Sequence, residues 1–306
     1  MRDEGAGHDR RGRRPVVETE AEAAARIRDG MTIAVGGFIN TGHPMAIVRQ
    51  VIRNRVRDLT VVGAASAGLD VDLLIAAGCA GRVIAPYVGA EGLAPIGPAF
   101  QTAAQAGEIE VWELDEAMYY AGLRAAAQGL PFNPWRAGVG TSYPEVNPDL
   151  VEFDDPLRGE RLLAVPAIEV DVALLHAARS DVFGNVQHNG TGYGDRAIYA
   201  AADLNVVSVE RLVSVEEIRR SPAATTVPGA DAVVRAPFGA HPFSSDGHYP
   251  VDVSALQEYV TAARALRDGD RGPVERYLET YVYEPETHLD YLERVGLKRL
   301  LALSEY

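Results

Sequence analysis

Residues 29–44, DGMTIAVGGFINTGHP, constrain the fold of this chain more than any other stretch. A short apolar run ends in paired glycines, Gly36 and Gly37, and then in a polar loop. The pattern predicts a buried strand over 31–35 and a helix beginning near Pro44. Strand, glycine turn and helix together are how open α/β proteins build a crevice at the carboxyl ends of their strands. Two adjacent glycines admit close backbone approach and leave N–H groups to point at a ligand. Such donors suit a phosphate or the oxyanion of a thioester under attack. The plainer reading of a Gly-Gly pair is a tight corner.

The remaining pattern repeats that unit. Thr19 and Glu22 fit a capping box for a helix over 20–28. Helices are predicted over 45–55, 70–77, 98–106 and 116–127. Between them fall apolar strands over 59–63, 82–89 and 109–113. Continuous apolar runs of this kind belong to a parallel sheet covered on both faces. The expected fold is therefore α/β, a doubly wound and mainly parallel sheet. Residues 133–155, rich in Pro, Gly and Asn, read as a long irregular loop. The pattern then restarts, with strands over 161–165, 170–175, 205–209 and 232–235 and a short helix over 197–201. From about Val253 a helical C-terminal extension follows. Residues 1–17 read as a disordered tail and 18–306 as one domain.

Composition excludes several classes. The net charge of −14 is the wrong balance for a duplex-binding protein. No apolar run approaches the length of a membrane span, and residues 1–15 have no apolar signal core. The single cysteine, Cys79, leaves no internal disulfide framework and fits a cytoplasmic protein. His241 and His248 lack nearby cysteines or paired carboxylates, so no metal site is expected. The run Gly190-Thr-Gly192-Tyr-Gly194 lacks dinucleotide-loop spacing.

The 29–44 signature resembles that of the family I coenzyme A transferases, at the start of their α- or A-type chain. Three further segments are similar. They are Glu110–Glu113 with the helix after it, Asp171–Asn185 with its Ser180-Asp181-Val-Phe-Gly184-Asn185 turn, and Ala236-Pro-Phe-Gly239-Ala-His241-Pro. The last looks like the glutaconate CoA-transferase type of A chain. Together the resemblance covers residues 20–295. It implies covalent catalysis, in which a glutamate attacks an acyl-CoA and becomes a glutamyl-CoA thioester. That glutamate belongs to the B-type chain, often within a Ser-Glu-Asn-Gly run, which this sequence lacks; Ser304-Glu305 is the nearest fragment. The resemblance therefore implies half an enzyme, with a B-type CoA-transferase partner, coenzyme A as a substrate and no permanently bound cofactor.

On that reading Gly36, Gly37, Phe38 and Asn40 are candidates for the oxyanion and CoA contacts. Arg136 and His241 are candidates for the substrate. Arg179 and Arg196 could pair with phosphates, and are more often surface arginines. Were the chain self-sufficient, its acids at strand ends would be Glu91, Glu113 and Glu116; Glu116 equally suits a favourable charge at a helix start. Two alternatives accompany the transferase. One is a same-fold A-type chain that cleaves ring-derived CoA thioesters hydrolytically. The other is a non-catalytic acyl-CoA-binding chain.

Overall fold

The computed structural model describes residues 13–304. Its centre is a sheet in the order β1-β13-β11-β9-β2-β3-β4-β5, parallel throughout, with β10 and β12 attached antiparallel at one side. In chain order the first half is β1 (Val17–Glu18), α1 (Glu20–Ala24), β2 (Thr32–Val35), α2 (Met45–Arg53), β3 (Leu59–Val62), α3 (Leu69–Ala76), β4 (Ala80–Ile84), α4 (Pro98–Ala106), β5 (Glu110–Val111) and α5 (Glu116–Ala127). A small antiparallel sheet of β6 (Phe132–Trp135), β7 (Val151–Asp154) and β8 (Arg161–Pro166) follows, with α6 (Tyr143–Val146) between β6 and β7. The second half adds β9 (Val170–Ser180), β10 (Asn185–Gln187), α7 (Asp195–Ala201), β11 (Ala202–Leu212), α8 (Val215–Arg219), β12 (Thr225–Pro228) and β13 (Ala232–Arg235). The C-terminal helices are α9 (Val253–Arg264), α10 (Gly272–Leu278), α11 (His288–Val295) and α12 (Leu297–Ser304).

The doubly wound expectation holds. Strand order runs outward from β2 through β3, β4 and β5 on one side, and from β9 through β11 and β13 on the other. The switch point lies between β2 and β9, and the glycine corner at the end of β2 sits on it. Alternation along the strands separates two apolar layers. Ile33, Val35, Val172 and Leu174 pack with α2, α3, α4, α9 and α10, whereas Ala34, Ala173 and Leu175 pack with α5, α7 and the small sheet. Helix α2 is buried from Met45 to Ile52. Burial of Ile47, Val48, Val51 and Ile52 stabilises its docking by about 1.5–3 kcal/mol each.

Three expectations change. The stretch 133–155 is not one irregular loop, because both its ends pair with β8 and form a sheet. Strand β9 does not stop at Leu175; it runs to Ser180, with buried His176 in register with Ser208 of β11. Of the tail expected over 1–17, residues 1–12 lie outside the described residues, as does Glu305 at the other end. Val17 already pairs with Val233. No helix among the described residues is long and apolar enough to cross a membrane.

Candidate active site

The corner after β2 is held by hydrogen bonds made within the chain. The Gly36 amide extends the sheet by donating to Leu174 O at 2.9 Å. The Gly37 amide donates to Asp195 Oδ1 at 3.0 Å. The Phe38 amide donates to Thr41 O at 2.8 Å, closing a tight return in which Ile39 adopts φ 50°. Each glycine is needed for a different reason. A Cβ on Gly36 would stand 2.5 Å from Asp195 Oδ1 and 2.6 Å from Leu175 Cδ2. Gly37 has φ 104°, a left-handed conformation that penalises other residues. The oxyanion candidates Gly36, Gly37 and Phe38 thus differ in what their amides already hold. Those of Gly36 and Phe38 are tied to backbone carbonyls, and that of Gly37 donates to a side chain.

A pocket opens at this corner, walled by Gly37, Thr41, His176, His188, Asp195 and Ser245. Two histidine–carboxylate pairs reach its wall through His176, His188 and Asp195. His188 Nε2 lies 3.0 Å from Asp195 Oδ2, and its Nδ1 lies 2.6 Å from Thr226 Oγ1. His176 Nε2 lies 2.9 Å from Glu210 Oε1, and its Nδ1 lies 2.9 Å from Ser208 Oγ. Tyr249 donates its hydroxyl to Glu210 Oε1 at 2.6 Å, and the Phe238 amide donates to Oε2 at 2.8 Å. Burial pushes the Glu210 carboxyl up, but His176, Tyr249 and the Phe238 amide outweigh it and hold Glu210 below the usual carboxylate range. Beneath the corner, His43 Nε2 lies 3.1 Å from Ile39 O, and its Nδ1 lies 3.0 Å from Asp70 Oδ2, both residues being fully buried.

The residues singled out from sequence divide between this pocket and elsewhere. Phe38 stacks on Tyr193 with ring centroids 4.7 Å apart. Asn40 accepts the Ser244 amide at its carbonyl, while its Oδ1 is buried without a hydrogen-bond partner. Glu116 is exposed in the first turn of α5. Burial raises the Tyr120 hydroxyl there, and the charges of Glu116 and Asp195 raise it further; a Cβ on Gly194, next to Asp195, would stand 3.0 Å from that hydroxyl. Glu113 is exposed and Glu91 lies exposed on a turn. Arg136 follows β6, ion-paired to Glu160, and is no part of this pocket. His241 is also no pocket residue. It is fully buried, with Nδ1 2.7 Å from Tyr291 Oη and Nε2 3.1 Å from Asp252 Oδ2, so it fastens the C-terminal helices. Arg179 donates to Gln187 Oε1 at 3.0 Å, and Arg196 is exposed. Asp181 caps its own turn by accepting the Phe183 and Asn185 amides at 2.9 and 3.0 Å.

Sequence reasoning did not single out His188, Asp195 or Glu210; Tyr249 stood only at the end of the segment similar to the glutaconate type. The available signal for Asp195 was the Gly190–Gly194 run directly before it, which delivers Tyr193 and Asp195 to the corner.

This arrangement has counterparts in known proteins. The family model of the coenzyme A transferases matches residues 17–236. The A-type chain of the glutaconate CoA-transferase of Acidaminococcus fermentans is 33% identical, with 94% of each chain covered. The crystal structure of that enzyme superposes with a TM-score of 0.87 at 32% identity, covering 94% of this chain and 95% of the other. The IpdA chain of the cholesterol ring-cleaving hydrolase of Mycobacterium tuberculosis is 39% identical over 79% of this chain and 86% of its own length. An uncharacterized Archaeoglobus fulgidus protein is 36% identical over 88% of this chain, which spans 60% of that longer relative. With a family match that runs from the first strand to the last, the chain belongs to the coenzyme A transferase family, as an A-type chain.

Proposed function

We propose that this chain is the A-type half of a two-chain enzyme that moves coenzyme A between an acyl-CoA and a free carboxylic acid. The observation that carries the reading is the Gly37 amide at the switch point, holding a carboxylate oxygen at 3.0 Å. A donor that fits Asp195 Oδ1 fits the negative oxygen of a tetrahedral intermediate when the aspartate turns aside. Asp195 and Glu210 are each held by hydrogen bonds at both oxygens. Donors to their oxygens make both poor nucleophiles, so the nucleophile is assigned to a glutamate of a B-type partner. That carboxylate adds to the thioester carbonyl and expels CoA thiolate, leaving a mixed anhydride. The thiolate then attacks the glutamyl carbonyl, releasing the acid and leaving a glutamyl-CoA thioester. The acceptor carboxylate runs the two steps in reverse. Coenzyme A enters as a substrate, and a cytoplasmic setting accords with the single buried thiol of Cys79.

The test is to copurify the chain with its B-type partner, incubate the complex with acyl-CoA alone and weigh both chains. The expected result is a CoA adduct on a partner glutamate. An adduct on this chain would overturn the assignment. A second reading, hydrolytic cleavage, is favoured by the 39% identity to the ring-cleaving relative and by Glu116 beside Tyr120. It would consume acyl-CoA with no acceptor acid present and leave no adduct.

A further inference from the structure

We propose that the cavity between α2 and the C-terminal helices binds one small halide-class anion, held by Arg49. This cavity lies among Arg49, Phe243, Tyr259, Tyr277, Tyr281 and Tyr291, apart from the glycine corner, and has room for about one water-sized particle. Arg49 is 2% exposed. Its guanidinium lies 3.5 Å over the Tyr291 ring, Nη1 donates to His241 O at 3.0 Å, and Nη2 lies 3.4 Å from His288 Nδ1. Neither partner is an anion. His288 donates from Nε2 to Pro237 O at 2.8 Å, which leaves a lone pair on Nδ1 for Arg49. Burial, followed by the Arg49 charge, pushes that imidazole down to about 3, so it is neutral at pH 7.

The Nε of Arg49 is buried with no hydrogen-bond partner. Glu20, whose charge is felt at Arg49, accepts the His288 backbone amide at 2.7 Å. Among the described residues Arg49 forms no ion pair. A desolvated cation without a counter-charge is one of the costliest groups a protein interior can hold, and a cation–π contact recovers only part of that cost. Three tyrosines of the wall have committed hydroxyls: Tyr259 to Asp72, Tyr281 to Glu258 and Tyr291 to His241. Tyr277, also on the wall, makes no hydrogen bond among the described residues. Arg49 Nε–H is thus the donor left for the anion, with the Tyr277 hydroxyl uncommitted on the same wall. Room for about one water-sized particle suits a monatomic anion better than a carboxylate or a phosphate.

Crystals of the full chain soaked in bromide should show an anomalous peak beside Arg49 Nε. In solution, urea unfolding is compared in chloride and in gluconate at equal ionic strength. At chloride ten times its Kd, the folding constant should rise about tenfold. Tyr277→Phe should weaken that rise and Arg49→Met should abolish it. The native protein decides the question should Arg49→Met fail to fold. A site without anomalous signal, or native unfolding curves that coincide in the two salts, would overturn the proposal.

Discussion

Gly36 and Gly37 look alike in the sequence and do different work. Gly36 makes room for Asp195 and Leu175, and Gly37 supplies a backbone conformation and a donor. Their presence at a strand end was legible. Which N–H groups are already used was not, because the Gly37 acceptor lies 158 residues away. The burial of His241 was illegible for a related reason. A histidine in a glycine-rich segment looks accessible until Asp252 and Tyr291 close over it. Gly36→Ala should cost about 1–3 kcal/mol in urea unfolding, through overpacking against Asp195. It should also lower turnover of the assembled complex at least about tenfold, since Asp195 and the Gly37 amide move together.

Asp72 gives a separate test. Burial raises its carboxyl to about 6, against hydrogen bonds from Tyr259 and the Phe100 amide that lower it. A folded-state pKa above the unfolded value of 3.8 means that the folded state binds the proton more tightly. Stability from this group is therefore gained as pH falls through 6 towards 3.8. Between pH 7 and pH 5 the native protein should gain about 1 kcal/mol relative to Asp72→Asn, as read from paired unfolding curves.

Elements were most legible where local chemistry fixes their ends. Pro98 starts α4 and left-handed Gly107 ends it. Asp115 caps α5 by accepting the Met118 amide at 2.7 Å. Thr19 and Glu22 form the expected capping box, but α1 ends at Ala24 and not at 28. The small sheet was illegible because its strands are four to six residues long, carry Pro134 and owe their pairing to distant partners. The end of β9 was hidden by polarity: His176, Arg179 and Ser180 read as a turn, yet parallel pairing with β11 carries them through the sheet. Asp115→Ala should cost about 1 kcal/mol in thermal or urea unfolding. Because α5 sets Tyr120 against Gly194, the residue before Asp195, the same variant should lose activity in the complex beyond its loss of stability.

At the scale of the molecule, two apolar layers hold a parallel sheet whose winding reverses between β2 and β9. That reversal places the glycine corner beside the pairs His188–Asp195 and His176–Glu210. The fold follows from repeated strand–helix alternation and was readable throughout the parallel half. The site was readable only as a location, since its acids arrive from α7 and β11. On the proposed reading, this pocket is one wall of an active site completed by another chain's carboxylate. The most direct measurement is acyl exchange between an acyl-CoA and a free acid by this chain alone, by its B-type partner alone and by the two mixed. Exchange in the mixture only is the expected result; full exchange by this chain alone would contradict the half-enzyme reading.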